Sequence, residues 1–144
     1  MQYVYPARLE EKGRTIIVSF RDLPEAITEG RNRAEALAEA IDCLDTALLF
    51  RLKEKCPVPS PSKARHKEVA VVASPQVAAK VAFARAFAEA GVTRVAMAAQ
   101  LGVRETEVRR MLDPDHGTRL ERLNEGMRAL GRRLIIADQP ADAA

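Results

Sequence analysis

No apolar run in this sequence approaches the roughly 18–20 residues that a membrane-spanning helix requires. The first residues, MQYVYPARLEEKG, carry neither a basic leader region nor an apolar core, so a cytoplasmic location is expected. The only cysteines, Cys43 and Cys56, are separated by twelve residues, and His66 and His116 stand alone, so zinc-ligand spacing is absent. Reduced thiols in a cytosolic protein are the simplest reading of the cysteines. There is no phosphate-cradling glycine loop, no GxSxG elbow and no HExxH pair, and no histidine accompanies a candidate nucleophile. Four carboxylates, Asp22, Glu25, Asp42 and Asp45, bear on a two-metal nuclease, with Asp42 and Asp45 one helical turn apart. Turn-opening and helix-flanking roles explain them more simply. The expectation is a protein without enzymatic activity, metal or cofactor.

What is present is a chain of 144 residues, 47% hydrophobic and 30% charged, the balance of a soluble globular protein. Its net charge is only +3, but the distribution is uneven. Residues 1–55 hold nine Lys/Arg against ten Asp/Glu, whereas residues 75–137 hold eleven against seven. The positive excess lies in the second half, where binding to phosphates would need it.

The first half reads as a small α+β module. Tyr3, Tyr5, Ala7 and Leu9 alternate on one face, and Ile16, Val18 and Phe20 do so after a turn predicted over Glu10–Gly13. The two strands should pair antiparallel, with Pro6 marking the first as an edge or a bulge. Pro24 ends the ladder, and Gly30 permits a turn. Asn32 with Glu35 three residues on resembles a capping box. From there Leu37, Ile41, Leu44, Leu48 and Leu52 form a helical stripe suited to covering the sheet. Residues 56–67, with Pro57, Pro59 and Pro61, read as a semi-extended connector. Val69–Val72 is expected to be a third strand, completing a ββαβ module over residues 1–73.

The second half reads as four helices over residues 74–137, followed by a tail at 138–144. Ser74 with Pro75 opens a helix that Gly91 stops. Thr93 caps Arg94–Leu101, with Val95, Met97, Ala98 and Leu101 apolar. Gly102 then supplies a left-handed turn, and Arg104–Leu112 forms the next helix, with Val108, Met111 and Leu112 inward. A small residue at the helix crossing, a glycine four residues later and a valine six after that is the spacing of a DNA-reading helix-turn-helix. A helical hairpin with a polar outer face shares part of this pattern, but composition, spacing and outward residues together favour DNA. Arg104, Glu105, Thr106, Arg109 and Arg110 are the expected base-reading side chains, and Arg94 is an expected phosphate contact. Thr118 with Glu121 opens a last helix with Leu120, Leu123, Met127 and Leu130 inward. Leu134, Ile135 and Ile136 form either a final strand or a dimer contact.

The segment containing Phe20, Asp22, Leu23, Pro24, Glu25, Thr28 and Gly30 resembles the signature stretch of HicB-type antitoxins. The hairpin before it, the Ala-Glu-Ala-rich helix after it, the Pro-Ser-Pro connector and the C-terminal helix-turn-helix follow the longer members in the same order. The resemblance implies a partial ribonuclease-H-like N-terminal module joined to an all-α, XRE/Cro-like DNA-binding domain. It further implies a HicA-type mRNA interferase toxin as the partner of the first module. Double-stranded operator DNA of the pair's own promoter would bind the second, and self-association would give a homodimer or tetramer. A solitary transcription regulator with an N-terminal ligand-sensing module is the alternative reading of the same elements.

Overall fold

The computed structural model describes residues 1–141. It is a mixed α+β structure: a four-stranded antiparallel sheet and five helices. The strands are β1 (Val4–Lys12), β2 (Thr15–Phe20), β3 (Ile27–Gly30) and β4 (Glu68–Val72), arranged in the order β3-β2-β1-β4. Helix α1 (Arg33–Lys53) lies on one face of this sheet, while α2 (Pro75–Ala90), α3 (Arg94–Leu101), α4 (Glu105–Leu112) and α5 (Leu120–Ala129) follow β4.

The alternation expected in β1 and β2 is realised, with Tyr5, Ala7, Val18 and Phe20 all buried on the α1 side. β1 continues through Glu10–Lys12, and a two-residue Gly13–Arg14 loop makes the hairpin, pairing Lys12 with Thr15. The ββαβ expectation omits β3. Ile27–Gly30 has too few apolar residues to signal a strand, yet it pairs antiparallel with Ile16–Ser19 along the free edge of β2. β1 is also not an edge: β2 and β4 flank it, and Pro6 sits opposite Ala70. Ala73 donates its backbone N–H to the Tyr3 carbonyl, so odd-numbered residues of β1 direct their backbone groups to β4. Pro6 therefore faces the β2 side, where the ladder begins only at Ala7, and its missing donor removes no ladder bond.

Asn32 accepts the Glu35 amide at 2.8 Å and so caps α1, while the Glu35 carboxylate pairs with Arg31. The buried stripe of α1 is Ala36, Ala40, Leu44, Ala47 and Leu48, shifted from the expected leucine row; Ile41 is exposed. Alanines face the sheet because the helix start runs close to it. A Cβ on Gly30 would lie 2.4 Å from the Ala36 nitrogen, so close approach rather than a turn requires glycine there. Each large side chain buried in this layer contributes about 1.5–3 kcal/mol before chain entropy is counted.

The connector at 56–67 is fastened along its length. The Tyr5 hydroxyl donates to the Pro59 carbonyl at 2.8 Å, and Asp22 accepts from both the amide and hydroxyl of Ser62 at 2.7 Å. Arg51 donates to the Pro57 carbonyl at 2.7 Å and pairs with Glu25. Burial pushes the Tyr5 hydroxyl up to about 12, so it remains a donor across the ordinary pH range.

Helix α2 starts at the expected position, but the Ser74 hydroxyl makes no cap bond; its backbone N–H instead donates to Asp45 at 2.9 Å. The helix packs in two directions. Val77, Ala78 and Val81 join the core under the sheet, whereas Ala79, Phe83 and Ala86 join Met111, Leu123 and Met127 in the helical core. Residues 130–141 contain no strand: Leu134 packs against the helical core, while Ile135 and Ile136 are exposed. The final-strand expectation is therefore corrected: Leu134 is held by the helical core instead of pairing along a sheet edge. Of the expected tail, residues 142–144 lie outside the described residues.

Candidate nucleic-acid interface

Thr93 caps α3 by accepting the Ala96 amide at 3.0 Å, and Gly102, at φ 68°, ends it in the left-handed conformation. Only a residue without a Cβ takes that conformation without strain, and the chain turns directly into α4. Val103 fills the corner, half-buried against a cluster of Met97, Ala98 and Val108. Ala98 is small where the two helices meet, and Val108 and Met111 are completely buried. Val95, apolar like Ala98 and Leu101, is nonetheless 69% exposed.

Burying Val108 and Met111 turns the rest of α4 outward. Arg104 is the N-cap residue rather than the first helical residue, and it is exposed. Thr106, Arg109 and Arg110 are also exposed on this side. Glu105 is half-buried between two arginines: its carboxylate lies 3.1 Å from Arg94 Nε and 3.1 Å from Arg109 Nη2. Arg110 is only loosely tethered, 4.0 Å from Glu107. Of the six expected DNA-contact residues, Glu105 thus joins Arg94 to Arg109, and Arg104, Thr106 and Arg110 are exposed on α4 or at its cap. Arg109 and Arg110 in the last turn also suit the negative end of the helix dipole.

Sequence reasoning missed what holds the other end of α4. Lys80, in the middle of α2, is 4% exposed. Its three ammonium N–H groups are shared among four oxygens: the carbonyls of Arg110 at 3.1 Å, Asp113 at 2.7 Å and His116, and the Thr118 hydroxyl at 3.0 Å. A cation at a helix C-terminus meets the orphan carbonyls there. Burial pulls the Lys80 pKa below its ordinary value, and Asp113 opposes that pull. Thr118 is consequently buried in this cluster, and Arg119 takes the N-cap position of α5, correcting the expected Thr118–Glu121 box. Two further contacts tie this loop to the rest of the chain: Lys53 to Asp115 at 2.9 Å, and the Gln76 side chain to the Thr118 carbonyl.

The signature residues of the N-terminal half do not form a surface patch. Phe20 and Leu23 are core, and Asp22 is engaged by Ser62. Pro24 is exposed in the turn, Thr28 is half-buried on β3, and Gly30 lies under α1. Nearby, Arg21 clamps Glu68 through two bonds of 3.0 Å, and this holds the Glu68 carboxyl down at about 2. Asp42 and Asp45 lie on α1, where Asp45 accepts from Ser74, and the described residues contain no group of three or more metal-ligating side chains.

A family model described as HicB-like antitoxin of bacterial toxin–antitoxin systems matches residues 4–82. Among curated proteins, antitoxin HicB 1 of Photorhabdus laumondii is 36% identical over 137 residues, covering 92% of this chain and 85% of that protein. Antitoxin HicB 2 of the same organism is 35% identical over 132 residues, covering 92% and 94%. Antitoxin HicB of Escherichia coli is 34% identical over 122 residues, covering 83% and 87%. The chain belongs to the HicB-like antitoxin family.

Proposed function

We propose that this HicB-like antitoxin has two separable activities. The N-terminal module, residues 1–73, binds and neutralises a HicA-type mRNA interferase. The C-terminal module, residues 74–137, represses the pair's own operon by binding operator DNA. The antitoxin role in a toxin–antitoxin system follows from family membership. Toxin contact, operator binding and self-association are the further steps of the proposal.

The observation that carries the DNA-binding half is the corner at Gly102. It buries Ala98 against Val108 and leaves Arg104, Thr106, Arg109 and Arg110 exposed on one short helix. This is the geometry by which a helix-turn-helix of the XRE/Cro kind inserts its second helix into the major groove. Arginine fits guanine O6 and N7 there, and Arg94 would meet a phosphate. For the toxin-binding half, the support is the antiparallel β1–β2–β3 meander followed by α1 and the returning β4, an order that fits a reduced ribonuclease-H-like module. One eight-residue helix reads few base pairs, so tight binding needs two copies. Ile135 and Ile136, 87% and 75% exposed beside the docked Leu134, are the proposed contact between them.

Co-expression with a HicA-type toxin, followed by pull-down and growth rescue, tests the first activity. Mobility shift on the DNA preceding the gene tests the second. Capture and rescue with specific retardation are expected. A chain that neither captures the toxin nor rescues growth would overturn the toxin half, and equal affinity for unrelated DNA would overturn the operator half.

A further inference from the structure

We infer that Glu105 acts on operator DNA as a positioning residue, through the two arginines it holds, and not as a direct reader of a base. The inference rests on the DNA-binding reading above and assigns a role within that same site. Glu105 opens α4, Arg94 opens α3, and Arg109 lies one turn further along α4. One carboxylate oxygen lies 3.1 Å from Arg94 Nε and the other 3.1 Å from Arg109 Nη2. Both oxygens are thus occupied, each by a charge-assisted contact. A cytosine amino group would have to share an oxygen with a guanidinium that already holds it, since each carboxylate oxygen accepts at two lone pairs.

The same geometry explains what the carboxylate achieves. A guanidinium carries five N–H donors, so a single contact to Glu105 leaves most of each arginine available for DNA. Arg94 keeps both Nη groups outside its contact, and Arg109 keeps Nε and Nη1. A long side chain that is fixed before binding loses less freedom on binding. Arg110, 4.0 Å from Glu107, has no comparable anchor. Glu105 therefore links a phosphate-contacting arginine on one helix to a base-contacting arginine on the next, and sets their separation. It also cancels part of their charge, which suppresses attachment to DNA of any sequence.

The test measures affinities of the full-length protein for the operator duplex, for each single base-pair variant of it, and for unrelated DNA. The proteins compared are the unaltered chain, Glu105→Ala, Glu105→Asp, Arg109→Ala and the Glu105→Ala/Arg109→Ala double variant. Glu105→Ala is expected to flatten the preference at the same base pair that Arg109→Ala flattens, by roughly tenfold. The double variant should then be no worse at that position than Arg109→Ala alone. Affinity of Glu105→Ala for unrelated DNA should rise, with a salt slope steeper by up to about one unit. Glu105→Asp, which keeps the charge, should restore part of the discrimination. If Glu105→Ala instead flattens a base pair of its own and the two substitutions add, Glu105 reads a base and the inference fails. Unchanged discrimination in Glu105→Ala also overturns it. An unaltered protein that binds operator and unrelated DNA equally removes the DNA-binding reading itself, and this inference with it.

Discussion

Replacing Lys80 with methionine tests the clamp that fixes the far end of α4. Methionine has nearly the volume of lysine's aliphatic stem but donates nothing, so the substitution removes the ammonium and leaves the packing. Four oxygens lose a partner: the carbonyls of Arg110, Asp113 and His116, and the Thr118 hydroxyl. They are not equally stranded. The Arg110 carbonyl still accepts from the Asp113 amide and the Thr118 hydroxyl, and the Asp113 carbonyl still accepts from the His116 amide. The loss thus falls mainly on His116 and on Thr118 as an acceptor. Hydrogen bonds to charged groups are worth about 1.5–3 kcal/mol each, but removing a buried ammonium also relieves its desolvation. A net destabilisation of about 2–3 kcal/mol is expected for Lys80→Met by urea denaturation. Amide exchange should quicken selectively across 110–118. A loss below about 0.5 kcal/mol, with exchange in that segment unchanged, would refute the reasoning.

Two further substitutions check the N-terminal half. Gly30→Ala places a Cβ 2.4 Å from the Ala36 nitrogen and 2.7 Å from its Cα, so α1 must lift from the sheet. A destabilisation of about 2–3 kcal/mol is expected by thermal melting, whereas Gly117→Ala, with nothing within 4 Å and no left-handed backbone, should leave the melt unchanged. The Arg21–Glu68 clamp makes a pH prediction. Glu68 sits at about 2 in the folded chain against an ordinary 4.5, so the clamp's contribution is present above the ordinary value and lost as pH falls toward about 2. Glu68→Gln should therefore narrow the stability difference between pH 6 and pH 3, read from denaturation midpoints; an unaltered acid limb would show that the clamp contributes nothing.

The parts of the fold that were legible in the sequence are those governed by local periodicity. The alternation in Tyr3–Leu9 and Ile16–Phe20, the Ser74–Pro75 start and the glycine stops at Gly91 and Gly102 each follow from one residue and its near neighbours. β3 was not legible, because four residues with one large apolar side chain become a strand only when β2 offers an edge. The α1 stripe was misread for a related reason. Leucines mark the hydrophobic side of a helix, but alanines mark where it lies closest to the sheet, and Gly30 with Ala36 sets that distance. Lys80 was invisible because three of its partners are backbone carbonyls more than twenty-nine residues away, which leave no side-chain signature. At the candidate interface, the outward positions of α4 were readable from Val108 and Met111. The bridging role of Glu105 was not, since it depends on where α3 begins in space.

The claim that the two activities belong to separate parts of the chain is tested most directly by Arg109→Ala with Arg110→Ala. Both side chains are exposed, and neither is needed for the core. The double variant should be examined for operator binding and for neutralisation of the co-expressed toxin, with its melting curve recorded alongside. The account predicts that operator binding is abolished while neutralisation and fold are retained. Loss of neutralisation in a folded double variant, or operator binding equal to that of the unaltered chain, would contradict it.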